Sequence, residues 1–166
     1  FVCQEGTAHA MATTTNPWPS SLGNDPGHQT LPAKDGWAAS GNGTSGGATA
    51  SPTHVYTVTN REQLVQALGG DNIGADTTPK IVYIKGVING NEDDSGNPLT
   101  CADYATNGYS LAAYDPTVWG TTTVPSGPLE DTRHASQLNQ GKRVKIYIPS
   151  NTTIIGASAR VIGANF

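Results

Sequence analysis

The stretch Ser150-Asn-Thr-Thr-Ile-Ile-Gly-Ala-Ser-Ala-Arg-Val-Ile-Gly-Ala-Asn-Phe166 decides the reading of the fold. Its two β-branched runs, Thr152–Ile155 and Arg160–Ile162, each end in a glycine. β-Branched side chains suit a pleated surface, and glycine within such a pattern marks a sharp bend. Short strands separated by tight bends are how a solenoid of stacked coils begins. The expectation is therefore the opening portion of a longer β-solenoid whose working residues lie beyond Phe166. A solenoid coil cannot bury its apolar faces alone, and a missing neighbour leaves strand edges unpaired. Val161, Ile162 and Phe166 should accordingly need a second polypeptide segment against them, and isolated 1–166 should aggregate or stay partly unfolded.

Upstream, Arg143-Val-Lys-Ile-Tyr-Ile148 alternates and predicts a strand, with Pro149 and Asn151 forming a turn. Lys80-Ile-Val-Tyr-Ile-Lys-Gly-Val-Ile88 predicts another strand, apolar on both faces at its centre, as in a parallel sheet covered on each side. Val55-Tyr-Thr-Val58 is a third strand. It leads into Thr59-Asn-Arg-Glu62, which reads as a capping box with Thr59 as N-cap. Leu64, Val65 and Leu68 then make an apolar stripe, and Gly69-Gly70 closes a short helix that could cap the open end of the sheet.

Residues 1–53 read as an irregular arm rich in turn signals, with Trp18, Leu22 and Trp37 expected to pack over one end of the core. Residues 54–88 carry the first strand, the cap helix (about 60–68) and the next strand. Residues 89–141 read as a loop-rich insertion. It holds a possible helical turn at Tyr109–Tyr114 and a helix over Pro128–Leu138, whose proline and acids suit a helix start. Residues 142–166 read as the first regular coils.

Composition agrees with a loop-rich β protein: 20 glycines and 11 prolines accompany only 13% charged residues. A net charge of −4 gives no electrostatic footprint for nucleic acid, and no apolar run approaches the roughly 18 residues of a membrane span. An acidic ligand would need a counter-ion or a local basic groove. Cys3 and Cys101 are either two unrelated thiols or one bridge, which would stabilise by about 4.7 kcal/mol in the chain-entropy model. A bridge, together with a chain that starts at Phe1, favours an oxidising, extracytoplasmic setting.

Candidate chemistry is sparse. Asn91-x-Asp93-x-Ser95-Gly96 opens like a calcium loop, but Ala102 stands where a bidentate glutamate belongs, so a solvated acidic loop is the better reading. His9, His28, His54 and His134 have no metal-ligand spacing. Asp93/Asp94 and Glu130/Asp131 are adjacent pairs, poorly placed to flank a substrate from opposite sides. Gly41-x-Gly43 lacks the third glycine of a dinucleotide loop, and Asn42-Gly-Thr44 and Asn151-Thr-Thr153 are glycan-acceptor patterns too common to carry weight.

The ordered combination Gly36-Trp-Ala38, Gly46-Gly-Ala48, Val55-Tyr-Thr-Val-Thr59 before a Leu-rich helix, Lys80-Ile-Val-Tyr-Ile-Lys-Gly86 and Asn151-Thr-Thr-Ile-Ile-Gly156 resembles the N-terminal region of extracellular pectate lyases. So does the insertion from Leu99-Thr-Cys-Ala-Asp-Tyr104 through Tyr109-Ser-Leu-Ala-Ala-Tyr114. The resemblance implies a right-handed parallel β-helix, the early helix capping its end, and a secreted protein. It further implies calcium-assisted β-elimination of polygalacturonate, with aspartates binding calcium and an arginine taking the C5 proton. No family motif for those residues matches within 1–166, so no catalytic, substrate-binding or metal residue is assigned, and Arg133, Arg143 and Arg160 are not promoted to that role. The implied partners are polygalacturonate or pectin and the complementary C-terminal segment of the same enzyme. Two alternatives stand beside this reading: a pectin lyase acting on methyl-esterified polymer without calcium, and a non-catalytic polysaccharide-binding β-solenoid.

Overall fold

The structure is a computed structural model and describes residues 18, 21, 23–41, 43–106, 108–110, 112, 117, 122, 124–156 and 158–166. Its strands are β1 (Val55–Val58), β2 (Lys80–Ile84), β3 (Val87–Asn89), β4 (Thr152–Gly156) and β5 (Arg160–Ile162). Its α-helices are α1 (Arg61–Ala67), α2 (Cys101–Tyr104) and α3 (Pro128–Val144). The chain divides into two compact units, Phe1–Ile88 with Tyr147–Arg160, and Asn89–Ile146 with Val161–Phe166.

The first unit is built on a parallel sheet in the order β1-β2-β4. Val55, Ile81 and Thr153 share one level across it, and Thr57, Tyr83 and Ile155 share another. All five residues of β2 are buried, as a central strand covered on both faces requires. The cover over Ile81 and Tyr83 is the N-terminal arm: Ala50, Val55, Ile81 and Tyr83 form one core cluster, with Trp18 and Ile155 packed against it. The arm is fastened there by polar bonds. Tyr83 Oη donates to Asp25 Oδ1 at 2.5 Å and Gly47 N–H donates to Thr153 Oγ1 at 2.8 Å, while Trp18 Nε1 donates to the Gly23 carbonyl within the arm itself. Trp18 thus packs as expected, whereas Leu22 lies outside the described residues. Trp37 is a correction: it is 97% exposed, because the 3₁₀ turn Trp37–Ala39 turns Ala39, rather than the indole, inward.

The helix α1 packs against β1 and β2 through Leu64, Val65 and Leu68. Its N-cap is Asn60 rather than Thr59. Asn60 Oδ1 accepts from Gln63 N–H at 2.9 Å, while Gln63 Oε1 reaches back to the Thr59 N–H and hydroxyl. The box is shifted by one residue because both Thr59 and Asn60 are able caps, and the apolar stripe fixes which one serves. At the other end, Gly70 N–H bonds to the Val65 carbonyl and Gly69 N–H to the Gln66 carbonyl, which is a Schellman closure. The strand expected over Lys80–Ile88 is broken after Ile84. Gly86 takes φ +78°, and β3 begins only at Val87.

The second unit is mainly helical. Thr100 and Asp103 form a reciprocal capping box on α2, with Asp103 Oδ2 accepting from both the Thr100 amide and hydroxyl at 2.7 Å. Pro128 opens α3, and Glu130, Asp131, Lys142 and Arg143 sit at the ends where the helix dipole favours their charges. The helix runs to Val144, past the expected Leu138, so Arg143-Val-Lys-Ile-Tyr-Ile148 is not a strand. Its alternation is absorbed otherwise: Arg143 and Val144 finish the helix and Lys145 makes a single parallel bridge with Asn165. In the first unit the Tyr147 N–H is satisfied by the Asn72 side chain rather than by a strand partner. Of the helical turn expected at Tyr109–Tyr114, residues 111, 113 and 114 lie outside the described residues.

Candidate functional site

The Asn91–Gly96 stretch that opens like a calcium loop turns its oxygens to other partners. Asp93 Oδ1 accepts from the Ser95 and Asn97 amides at 2.9 and 2.8 Å, and Oδ2 accepts from Asn97 Nδ2. Those bonds, from Asn97 foremost, hold the Asp93 carboxyl below its ordinary range. Asp94 pairs with Arg143 at 2.8 Å, and Arg143 Nε donates to the Glu92 carbonyl. The Asp93 carboxylate is thus spent on the turn, and that of Asp94 faces Arg143. Among the described residues no three His, Cys, Asp or Glu side chains converge as a metal site would require.

The other adjacent acids are also split. Glu130 is engaged by Arg133 in a fork (Nε to Oε2 at 2.7 Å, Nη2 to Oε1 at 2.6 Å), and Asp131 is exposed one residue on. Arg133 lines a small cavity of about 210 Å³ with Cys101, Tyr104, Tyr109, Ser136 and Gln140. Cys101 is exposed with a free thiol, and Cys3 lies outside the described residues. Arg160 is exposed on β5. Of the histidines, His28 Nδ1 lies 2.9 Å from the Ala48 carbonyl, which requires that nitrogen to be the protonated one; His54 faces Ser51, His134 is exposed, and His9 lies outside the described residues. Asn42 also lies outside them. Asn151 bonds through Nδ2 to the Thr77 carbonyl at a left-handed corner (φ 61°) that introduces β4.

Two part-buried polar pairs tie down the first unit. Lys80, with only 2% of its side chain exposed, gives its ammonium to Asp76 Oδ2 at 2.6 Å and to the Asp76 carbonyl at 2.9 Å. That bond, then those from Thr78, keeps the Asp76 carboxyl far below the usual carboxylate range. Burial first, and the bond to Asp25 second, push the Tyr83 hydroxyl well above its usual value. Neither pair was anticipated from sequence; the only signal was a lysine at the start of a strand otherwise apolar. A second feature missed at that level is a surface cavity of about 560 Å³ lined by Ala33, Lys34, Gly36, Trp37, Ala39, Ser40 and Gly41.

The parallel pairing of β1, β2 and β4, with α1 packed against β1 and β2, fits the class of parallel β-helices. Comparison with known proteins gives the family. The chain is 51% identical over 148 residues to a pectate lyase of Bacillus subtilis (strain 168), covering 86% of this chain and 34% of that protein. It is 32% identical over 124 residues to pectate lyase E of Dickeya chrysanthemi, covering 75% of this chain and 20% of the relative. Among solved structures, a thermostable pectate lyase superposes with a TM-score of 0.80 at 44% identity, and a pectate lyase bound to a hexasaccharide with 0.77 at 51% identity. Each superposition covers 86% of this chain and 36% of the other. No family model matches the sequence. The chain belongs to the pectate lyase family and spans about a third of the length of the curated B. subtilis relative and of the solved structures.

Proposed function

We propose that this chain forms the opening coils and end cap of a secreted polysaccharide lyase that cleaves polygalacturonate by calcium-assisted β-elimination. The observation that carries this reading is the 51% identity to a pectate lyase whose structure holds a hexasaccharide. In the elimination the C5 proton of a uronate leaves to a base and the C4–O glycosidic bond breaks. The departing oxygen takes up a proton, and a C4–C5 double bond remains that absorbs in the ultraviolet.

The described residues do not fit a calcium ion, since their acids are dispersed and Asp93 is bonded within its own loop. The ion and the base therefore belong, in this proposal, to the two-thirds of the relatives' length that this chain does not match. What these residues supply is a platform. β2 pairs on both sides, and β4 stands at the end of the sheet order. A complementary segment adding a parallel strand to β4 supports both the fold and the cleft.

The test is ultraviolet absorbance of the protein carrying this chain on polygalacturonate and on methyl-esterified pectin, with and without a chelator. Chelator-sensitive unsaturated ends from polygalacturonate are the expected result. Chelator-resistant activity on the esterified polymer would make it a pectin lyase, and binding without unsaturated ends would make it a non-catalytic solenoid; either outcome overturns the proposal.

A further inference from the structure

We infer that Asn89-Gly90 is a latent modification site, locked while the chain is folded and reactive once it opens, so that it makes unfolding covalently irreversible. The sequence holds three Asn-Gly pairs, at 42–43, 89–90 and 107–108. In such a pair the glycine has no side chain to shield its amide nitrogen, which leaves that nitrogen open to attack the asparagine carboxamide. The Gly90 nitrogen bonds to Asn89 Cγ, the Cγ–Nδ2 bond breaks, and ammonia leaves with the proton that the Gly90 nitrogen gives up. Water then opens the resulting five-membered imide at one of its two carbonyls. The product is either aspartate or an isoaspartyl link that carries the backbone through the side chain.

Three contacts hold that reaction off. Gly90 N–H donates to the Ile162 carbonyl at 2.7 Å, so the nitrogen keeps its proton and its orientation. Asn89 Oδ1 accepts from Asn91 N–H at 3.0 Å, which turns the carboxamide to the amide two residues on rather than to that of Gly90. The corner at Gly163 (φ 63°) closes over both: a Cβ there would lie 2.8 Å from Asn89 Oδ1, and a Cβ on Gly90 would overlap that of Ala164. Gly90 is buried, and all of these residues belong to the second unit. Further chain laid against them adds cover and leaves the lock in place.

The same packing keeps the vulnerable pair in the chain, because the contact with Ala164 excludes a side chain at position 90. It also makes the isoaspartyl product incompatible with the fold. One extra backbone carbon between residues 89 and 90 moves the Gly90 N–H out of line with Ile162 and takes the side-chain oxygen away from the Asn91 amide. A register error of this kind leaves buried backbone groups unpaired. A molecule that has opened and reacted therefore does not close again, which is a chemical route to irreversible unfolding.

The protein that carries this chain is held in native buffer and in guanidinium at one pH and temperature, and aspartate and isoaspartate at residue 89 are quantified by peptide mapping. Conversion at Asn89 should run at least about a hundredfold slower in the folded protein, since only the opened fraction reacts; a smaller ratio overturns the proposal. Refolding after increasing times in guanidinium gives a second reading. The fraction that regains cooperative melting should fall in step with isoaspartate at residue 89. Asn89→Ser keeps an oxygen for the Asn91 amide and removes the carboxamide, so it should lose refolding competence more slowly than the parent. Loss at the parental rate in Asn89→Ser overturns the proposal. So does normal refolding of parent molecules already converted to isoaspartate at 89, a result that needs no variant to fold.

Discussion

Gly47 is the position where the arm meets the sheet most closely, and replacing it with alanine gives a sharp forecast. A Cβ at Gly47 would lie 2.0 Å from the Lys80 carbonyl oxygen, 2.7 Å from its carbon and 3.2 Å from Ile81 Cγ1. Real Cβ contacts begin near 3.0 Å, so a displacement of about 1 Å is needed. Both colliding partners are backbone, and Lys80 belongs to the strand paired on both sides. Overpacking of this kind costs about 1–3 kcal/mol. The shift also breaks the bond from Gly47 N–H to Thr153 Oγ1, worth about 1 kcal/mol. Gly47→Ala should therefore destabilise by about 2–4 kcal/mol, read from the urea midpoint at constant m-value. Two controls separate the contributions. Thr153→Val removes only the hydrogen bond. Gly41→Ala, at φ 63° with nothing within 4 Å, carries only the left-handed cost of about 1 kcal/mol. A Gly47→Ala protein within about 0.5 kcal/mol of the parent would refute the arm-on-sheet packing.

Other substitutions test the two part-buried polar pairs. Asp76→Ala strands the Lys80 ammonium with a single carbonyl and should cost about 3 kcal/mol, whereas Lys80→Met should stay within about 1 kcal/mol of the parent in the same urea titration. Because the Asp76 carboxyl is depressed in the folded state, its stabilisation is complete above its ordinary value of 3.8 and fades as pH falls toward the folded value. Acid unfolding followed by circular dichroism should lose part of its pH dependence in Asp76→Asn. Tyr83→Phe removes the bond to Asp25 and should cost about 2 kcal/mol and speed proteolytic cutting of the arm near Asp25. The Tyr83 hydroxyl is raised above its ordinary value of 10.0, so its stabilisation is present below that pH and lost above it; alkaline unfolding should be less steep in Tyr83→Phe.

How much of this was legible in the sequence depends on how local the cause is. β1, the centre of β2, β4 and β5 follow from β-branched runs ended by polar or glycine residues, and the Schellman closure of α1 follows from Gly69-Gly70. The α2 start was equally local, a Thr100-x-x-Asp103 box, and was readable but passed over. Other features were hidden. The run Arg143–Ile148 alternates like a strand, yet the preceding helix continues into it, because its last-turn cations favour helix there. Trp37 reads as a core residue by type, and only the turn geometry shows it outward. The Asp76–Lys80 and Asp25–Tyr83 pairs depend on partners brought together by folding, four residues apart in one case and fifty-eight in the other.

The central claim is that Thr152–Gly156 is a rung of a ladder continued by further chain, and a crystal structure of the protein carrying this chain tests it most directly. The account predicts β2 on one side of β4 and a new parallel strand on the other, with Ile154 and Ile155 stacked on apolar residues of that strand. A β4 whose outer edge faces solvent, or pairs antiparallel, would contradict it.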